Sequence, residues 1–122
     1  MAWVIDLVGR PTSVRKARVF TGDALADGGV EASVIEVAVL LVSELVTNAV
    51  VHAGGTVWVT VHADAHWVRI DVEDQGRGRP ELRPARQNQP GGRGVGVVDK
   101  LATHWGTERR ATHKVVWCEI AR

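Results

Sequence analysis

Residues 36–55 read EVAVLLVSELVTNAVVHAGG, and this stretch decides the fold. Most positions between Val37 and Val51 are Val, Leu or Ala, but two strongly polar residues, Glu44 and Asn48, interrupt them. Burying either side chain without a partner costs several kcal/mol. On a helix, a spacing of four residues puts both on one face, with Cβ atoms about 5–6 Å apart. On a strand they would lie roughly 13 Å apart, so only a helix lets both act on one small ligand.

The β-branched content of this stretch is typical of a strand, but its length favours a helix. Twenty residues without a turn signal are too many for an ordinary strand. The sequence Ala53-Gly54-Gly55 indicates a helix end followed by a turn. We predict a helix. The alternative that stays open is a core helix in which neighbouring backbone groups satisfy Glu44 and Asn48.

Composition predicts an ordinary folded domain. The chain has 122 residues, 45% of them hydrophobic and 24% charged, which suits one domain over residues 1–122 with one core. A net charge of +1 predicts no strong attraction to nucleic acid or to a membrane surface. The single cysteine, Cys118, excludes an intrachain disulfide, and we expect it to be a packing residue. The five histidines do not have zinc-ligand spacing.

We predict neither a secretion signal nor a membrane span from the sequence. The apolar patch at residues 2–8 is short, contains Asp6 and lacks a basic region before it, so it does not resemble a secretion signal. Glu44 interrupts the longest apolar run, and we therefore expect no membrane span. The location predicted from these features is the cytoplasm.

The rest of the chain predicts a two-layer arrangement. Thr12 or Ser13 would cap a helix through Leu25, with Gly22 as its weak point and a solvated basic face formed by Arg15, Lys16 and Arg18. Strands are predicted at residues 3–8, 56–63, 66–73, 103–110 and 112–121, and a helix at 94–101; the second and third strands form an antiparallel hairpin. This order predicts an α/β (α+β two-layer) sandwich: a mixed, mostly antiparallel sheet with helices on one face.

Two glycine motifs follow the hairpin. DQGRG at residues 74–78 comes directly off a strand, where glycine lets a ligand approach the backbone and a carboxylate can accept a hydrogen bond from an amino group such as that of adenine. An ordinary acidic turn is the alternative. GGRGVG at residues 91–96 precedes a helix, whose free N–H groups attract phosphate. It is neither a P-loop nor a dinucleotide fingerprint, and alone it equally fits a flexible hinge. The connection at residues 74–93 has almost no large apolar residues, which is typical of lids, binding loops and disordered segments.

Together these three motifs resemble the GHKL ATPase superfamily, whose members contain a histidine-kinase-like ATPase domain of the Bergerat type. Within it, the chain is most similar to the anti-sigma-factor serine/threonine protein kinase branch. SELVTNAVVHAG resembles the N box, DQGRG the G1 box, and GGRGVGVVDKLATHWG the G2 box with the Trp-Gly that follows it. VVWCEI resembles the closing strand, and the likeness runs from about residue 10 to the end.

The resemblance implies a role for each matching residue. Glu44 would be the general base, Asn48 would bind Mg²⁺ through its amide oxygen, and Asp74 would accept a hydrogen bond from the adenine amino group. The remaining implied nucleotide-binding positions are Gly76, Gly78, Gly92, Arg93, Gly94, Val95, Gly96 and Thr112. Residues 77–93 would form the ATP lid; we expect most of its arginines to be solvated, with Arg93 the best candidate for a phosphate contact.

Two departures from the family pattern concern the last strand and the end of the long helix. Related chains often have a small polar residue near the start of the last strand that reaches the nucleotide. Val115 falls near that place here, with Thr112 three residues earlier, so that contact stays open. His52 resembles a common N-box position, and we expect it to pack beside the site rather than contact the ligand.

The implied function is an ATP- and Mg²⁺-dependent kinase that phosphorylates a serine of a small antagonist protein and also binds a sigma factor. Such relatives form homodimers, and neither direct nucleic-acid binding nor a membrane is implied. The alternative is a non-catalytic, nucleotide-dependent module that sequesters a partner. A third interpretation, the detached ATPase part of a two-component system, is disfavoured because no phospho-accepting helix precedes the motifs.

Overall fold

The structure is a computed structural model that describes residues 1–52, 55–76 and 94–122, with the backbone alone for 94–97. Every element in this part has the type predicted from the sequence. In chain order they are β1 (Ala2–Val8), α1 (Thr12–Asp27), α2 (Ala32–His52), β2 (Thr56–Ala63), β3 (Trp67–Asp74), α3 (Gly94–Leu101), β4 (His104–Arg110) and β5 (His113–Ala121).

The five strands form one sheet in the order β1-β2-β3-β5-β4. The α/β two-layer fold is confirmed, but the sheet differs from the predicted mixed one, because every pairing among the described strands is antiparallel. Since β3 lies beside β5 and not beside β4, the single helix between β3 and β4 does not produce a parallel pair. For β1 and β2 the reason lies in the connection between them. It contains two helices, α1 and α2, so the chain reverses direction three times before β2, whereas a single crossover helix would have produced a parallel pair.

The core lies between the helices and one face of the sheet. Alternate residues of the central strands supply the sheet side, and each is almost fully buried: Val57, Val59, Val61, Val68, Ile70 and Val72. Helix α2 supplies the other side and packs against β2, β3 and β5. Its buried residues are Ala38, Leu41, Val42, Leu45, Val46, Asn48 and Ala49.

Helix α2 is long and apolar enough to cross a membrane by length and composition, with a mean hydropathy of 2.0 in its most apolar window. In the structure it is a core helix, since its buried residues face the sheet. A core helix passes the same length and composition test as a membrane span, so this feature by itself is weak evidence for one.

Helix α1 begins differently from the prediction. It starts at Thr12 after Pro11, and neither Thr12 nor Ser13 caps it, because no side chain hydrogen-bonds to the first N–H groups. Ser13 lies inside the first turn and its hydroxyl donates instead to the Val8 carbonyl, which ties the helix to the end of β1. At the other end the chain turns at Gly28 and at Gly29, whose φ is +73°.

The other face of the sheet carries polar and aromatic side chains rather than helices. Three histidine–carboxylate pairs link neighbouring strands there: His62–Asp71, His104–Glu119 and His113–Glu73, at 3.3–3.8 Å. The Arg69 guanidinium lies 4.6 Å from the centre of the Trp117 ring. These polar pairs between strands suit exposure of this face of the sheet to water.

Candidate functional site

Helix α2 positions the first two predicted site residues. Glu44 and Asn48 both lie on it, one helical turn apart, which confirms the predicted helix and puts their Cα atoms about 6 Å apart along its axis. Asn48 is only 7% exposed, and Glu44 is half-buried. Helix α2 also packs against β3, which leads into the first glycine motif, and against α3, which begins with the end of the second.

Asp74 is the last residue of β3, and only 2% of it is exposed. Its Oδ1 accepts a hydrogen bond of 2.7 Å from the backbone N–H of Gly76, so the first glycine of DQGRG fixes the orientation of the carboxylate. Burial raises the pKa of the Asp74 carboxyl, while the Gly76 hydrogen bond and nearby cations oppose that rise. A buried carboxylate with a raised pKa is typical of functional sites.

Two cations lie beside Asp74 that the sequence analysis missed. Lys114 of β5 pairs with Asp74 of β3, and Arg109 of β4 pairs with Lys114, so the three residues form a row across neighbouring strands. The Lys114 Nζ lies 4.0 Å from Asp74 Oδ1. Arg109 Nη1 donates to the Gly76 carbonyl at 3.5 Å.

A signal for Lys114 was present in the sequence. It alternates in step with Val116, Cys118 and Ile120, which all face the core, so Lys114 is a charged residue at the head of an apolar face. Such a position demands a partner. The partner itself was not predictable locally, because it depends on the register between β3 and β5.

On the last strand, the structure places Lys114 beside Asp74, rather than the sequence candidates Val115 and Thr112. Val115 pairs with Glu73 and therefore faces the opposite side of the sheet from Asp74. Thr112 lies exposed in the turn between β4 and β5, two residues before Lys114. Neither stands beside Asp74 in the strand ladder.

The second glycine motif leads into α3. Gly94, Val95 and Gly96 form the first turn of this helix, which confirms the prediction of a helix entered through glycines. Val98 anchors the helix in the core, and Trp105 Nε1 on β4 donates to Asp99 Oδ1 at 3.3 Å. Gly78, Gly92, Arg93 and the other lid arginines lie outside the described residues.

Two further predictions concern single residues. His52 is the exposed last residue of α2, so it does not pack in the core, and its place beside the site stays a prediction; a basic residue there suits the negative end of the helix dipole. Cys118 is fully buried, as predicted for a packing residue, and burial raises its pKa to about 12.

The oxygen atoms on α2 fit a magnesium ion better than a zinc-type centre. In the part of the chain that the structure describes, no three His, Cys, Asp or Glu side chains come together as a metal site. Mg²⁺ needs less from the protein, since it takes one or two protein oxygens and completes its octahedron with phosphates and water. The Asn48 carboxamide, the predicted magnesium ligand, offers one such oxygen on α2.

Comparison with known protein families agrees with this geometry. A family model described as "Histidine kinase-like ATPase domain" matches residues 7–120, nearly the whole chain. The chain belongs to this family. The recognition made from the three motifs is therefore confirmed.

Two individual relatives match the chain in sequence. An uncharacterised protein of Streptomyces coelicolor is 34% identical over 85 residues, which cover 65% of this chain and 80% of that protein. The anti-sigma F factor of Bacillus licheniformis is 40% identical over 52 residues, 38% of this chain and 36% of the relative. This match supports the predicted anti-sigma-factor branch.

A solved structure shows the same fold. The crystal structure of the RsbU and RsbW domains of Rv1364c from Mycobacterium tuberculosis matches with a TM-score of 0.76 and 21% identity, covering all of this chain and 33% of that one. At this identity the match shows the fold alone. The match to the Bacillus protein and the match to the Mycobacterium chain each cover about a third of the other protein.

Proposed function

We propose that this protein is a cytoplasmic, ATP-binding serine/threonine protein kinase of the anti-sigma-factor type. The observation that carries the proposal is the placement of a carboxylate and a carboxamide one turn apart on α2, the helix that packs against β3, which ends in the buried Asp74. Membership of the histidine-kinase-like ATPase family and the similarity to an anti-sigma F factor support it.

The base and the phosphates would be bound by different parts of the site. Asp74 accepts a hydrogen bond from the adenine amino group, in the orientation set by Gly76, and Gly76 and Gly78 leave room for the base. Backbone N–H groups at the start of α3, from Gly94 to Gly96, face the phosphates. Gly92 and Arg93 precede that helix, and the Arg93 guanidinium neutralises phosphate charge. Thr112, in the turn between β4 and β5, is the least supported of the binding positions.

Chemistry would take place at the α2 end of the site. Bound Mg²⁺, held through the amide oxygen of Asn48, would supply charge neutralisation on the phosphates. Glu44 takes the proton of the attacking serine hydroxyl. The serine oxygen forms a bond to the γ-phosphorus, the bond from that phosphorus to the bridging oxygen breaks, and ADP leaves with the electron pair.

The partners follow from the branch. The acceptor serine belongs to a small antagonist protein, and a sigma factor binds when the antagonist does not. We also expect a homodimer, as the resemblance implies.

Nucleotide binding is tested by thermal unfolding with and without Mg-ATP. Ligand at 100 times its Kd stabilises a protein by about 2.7 kcal/mol, so we expect the Tm of the wild type to rise by several degrees. Asn48→Ala should lose most of this shift, and Leu40→Ala, an exposed position on the same helix, should keep it. An equal shift in wild type and Asn48→Ala would show that Asn48 does not contribute to nucleotide binding. No shift in the wild type would show that the protein does not bind Mg-ATP.

Phosphoryl transfer needs a separate test, with labelled ATP and small antagonist proteins encoded beside the gene. We expect label on a serine of one of them with the wild type and none with Glu44→Gln, which should still bind ATP. If Glu44→Gln and wild type bind ATP equally and neither labels any candidate, the non-catalytic binding module is the better description.

A further inference from the structure

Lys114 and Asp74 form a buried pair of opposite charges at the end of the sheet that holds the base site. Lys114 is 9% exposed and Asp74 is 2% exposed, and they are direct neighbours in the β3–β5 ladder. Burying an ion pair costs several kcal/mol per ion before the attraction is counted, and an apolar pair of similar volume often gives equal or greater stability. Stability alone therefore does not explain why a lysine heads the apolar face of β5.

The two charged groups are close but do not hydrogen-bond. Their separation of 4.0 Å exceeds the length of an N–H···O bond. Asp74 uses Oδ1 to accept the Gly76 N–H, and an ionised carboxylate has further acceptor sites. Within residues 1–52, 55–76 and 94–122, Asp74 is the one ion-pair partner of Lys114, whose ammonium has three donors. The Lys114 ammonium and the Asp74 carboxylate thus lie side by side, and each can form further hydrogen bonds.

The loop behind this pair is held in place by a second cation. Arg109 extends the row across the sheet, and its guanidinium donates to the carbonyl of Gly76, the residue whose N–H orients Asp74. The carboxylate and the ammonium are therefore presented by three paired strands rather than by a free loop. Such support is what a site needs to discriminate between similar ligands.

We propose that Lys114 is a specificity-determining residue that reads the nucleobase together with Asp74. Adenine presents its 6-amino donor next to the ring acceptor N1. Asp74 accepts from the amino group, and the Lys114 ammonium donates to N1, so the pair matches two adjacent positions of one base edge. This inference rests on the proposed nucleotide binding and does not depend on whether the protein transfers phosphate.

The test compares ATP with 1-deaza-ATP, in which a C–H replaces N1, by calorimetric titration in the presence of Mg²⁺. We expect the wild type to bind 1-deaza-ATP at least tenfold more weakly than ATP, because a charge-assisted hydrogen bond is lost. Lys114→Met should bind ATP about tenfold more weakly than the wild type and should no longer distinguish the two nucleotides.

Control variants separate this role from a general effect of charge. Lys16→Met removes an exposed lysine of α1 and should leave both affinities and the N1 preference unchanged. Unfolding of the nucleotide-free variants checks that Lys114→Met is folded. Lys114→Gln, which keeps a neutral donor, serves as a second variant and should retain part of the preference.

Three results would overturn the role of Lys114. The wild type binds both nucleotides equally; Lys114→Met keeps the full preference for ATP; or Lys114→Met binds ATP more tightly, which would mean that the lysine occupies the place of the base. Each of these leaves ATP binding intact and so leaves the proposed function standing. If the wild type binds neither nucleotide, the result contradicts the proposed function, and the proposed role of Lys114 fails with it.

Discussion

The fold buries the Asp74 carboxyl group, and its burial makes the free energy of unfolding depend on pH. Burial raises its pKa in the folded state above the unfolded value of about 3.9. The folded chain then binds this proton more tightly than the unfolded chain does. The stabilising contribution is present below the unfolded pKa and is lost as the pH rises through the folded pKa. Above the folded pKa the ionised group therefore lowers the free energy of unfolding.

We expect Asp74→Asn to lack this pH dependence. The free energy of unfolding of the variant, relative to that of the wild type, should increase as the pH rises from about 4 to 7, measured by urea unfolding at several pH values. The substitution also leaves Lys114 without its carboxylate partner. This changes the free energy of unfolding by the same amount across this pH range and does not change its slope with pH. A difference between variant and wild type that stays constant with pH would contradict the assignment.

At the residue scale the sequence revealed those candidate site residues that violate a local rule. Glu44 and Asn48 stand out in an apolar run, and Asp74 stands beside glycines directly after a strand. Lys114 violates a local rule as well, but what it pairs with depends on strand register between distant segments. The exposure of His52 was not predictable locally, because it depends on where α2 ends.

At the scale of single elements, two glycines predict opposite outcomes for the same substitution. A Cβ on Gly106 in β4 would lie 2.7 Å from the Trp117 ring, which also lies against Arg69. A Cβ on Gly22 in α1 would meet only Val39 Cγ2, at an ordinary 3.7 Å. We expect Gly106→Ala to destabilise the fold by about 1–3 kcal/mol through overpacking. Gly22→Ala should stabilise it by roughly 0.5–1 kcal/mol, because alanine favours the helix.

Urea unfolding of both variants provides the measurement, and each serves as the control for the other. Stabilisation by Gly106→Ala would show that the Trp117 ring moves aside at little cost. The two glycines also explain a limit of the sequence analysis. A glycine weakens either element by composition alone, and only the packing around the two shows that Gly106 is required and Gly22 is replaceable.

Elements were predictable because their patterns are local, whereas their assembly was not. Alternation predicted the β2–β3 hairpin, and length together with the turn signal at residues 53–55 predicted α2. The sheet order β1-β2-β3-β5-β4 puts β5 between β3 and β4, and nothing in the local patterns says so. The antiparallel pairing of β1 with β2 follows from the two successive helices between them, and β3 has an antiparallel neighbour because that neighbour is β5 rather than β4.

At the scale of the whole molecule, Arg122 joins segments that are distant in sequence. Its Nε and Nη2 donate to the two Glu31 carboxylate oxygens at 3.1 Å, beside the start of α2. Nη1 donates to the Asp64 carbonyl in the β2–β3 turn, and Nη2 to the Gly29 carbonyl. The hydrogen bond from Arg122 lowers the pKa of Glu31.

We expect Arg122→Met to lower the Tm at pH 7. Because the folded pKa of Glu31 is depressed, the carboxylate's contribution is present above its unfolded pKa of about 4.3 and is lost as the pH falls through the folded value. The difference in Tm should therefore shrink on acidification, and also in high salt. Arg18→Met, an exposed arginine on α1, is the matched control and should change little. An undiminished difference at low pH would assign the effect to the carbonyl contacts instead.

The burial of α2 also bears on how the protein is made. Of the strands that α2 packs against, β2, β3 and β5, none has left the ribosome when the helix does, and β5 follows the helix by about 70 residues. At about 5–20 residues per second, the helix waits between three and fourteen seconds for its last neighbour. During that interval a nascent chain displays an apolar 21-residue segment, which makes it a natural client for the chaperones that shield such segments until synthesis is finished.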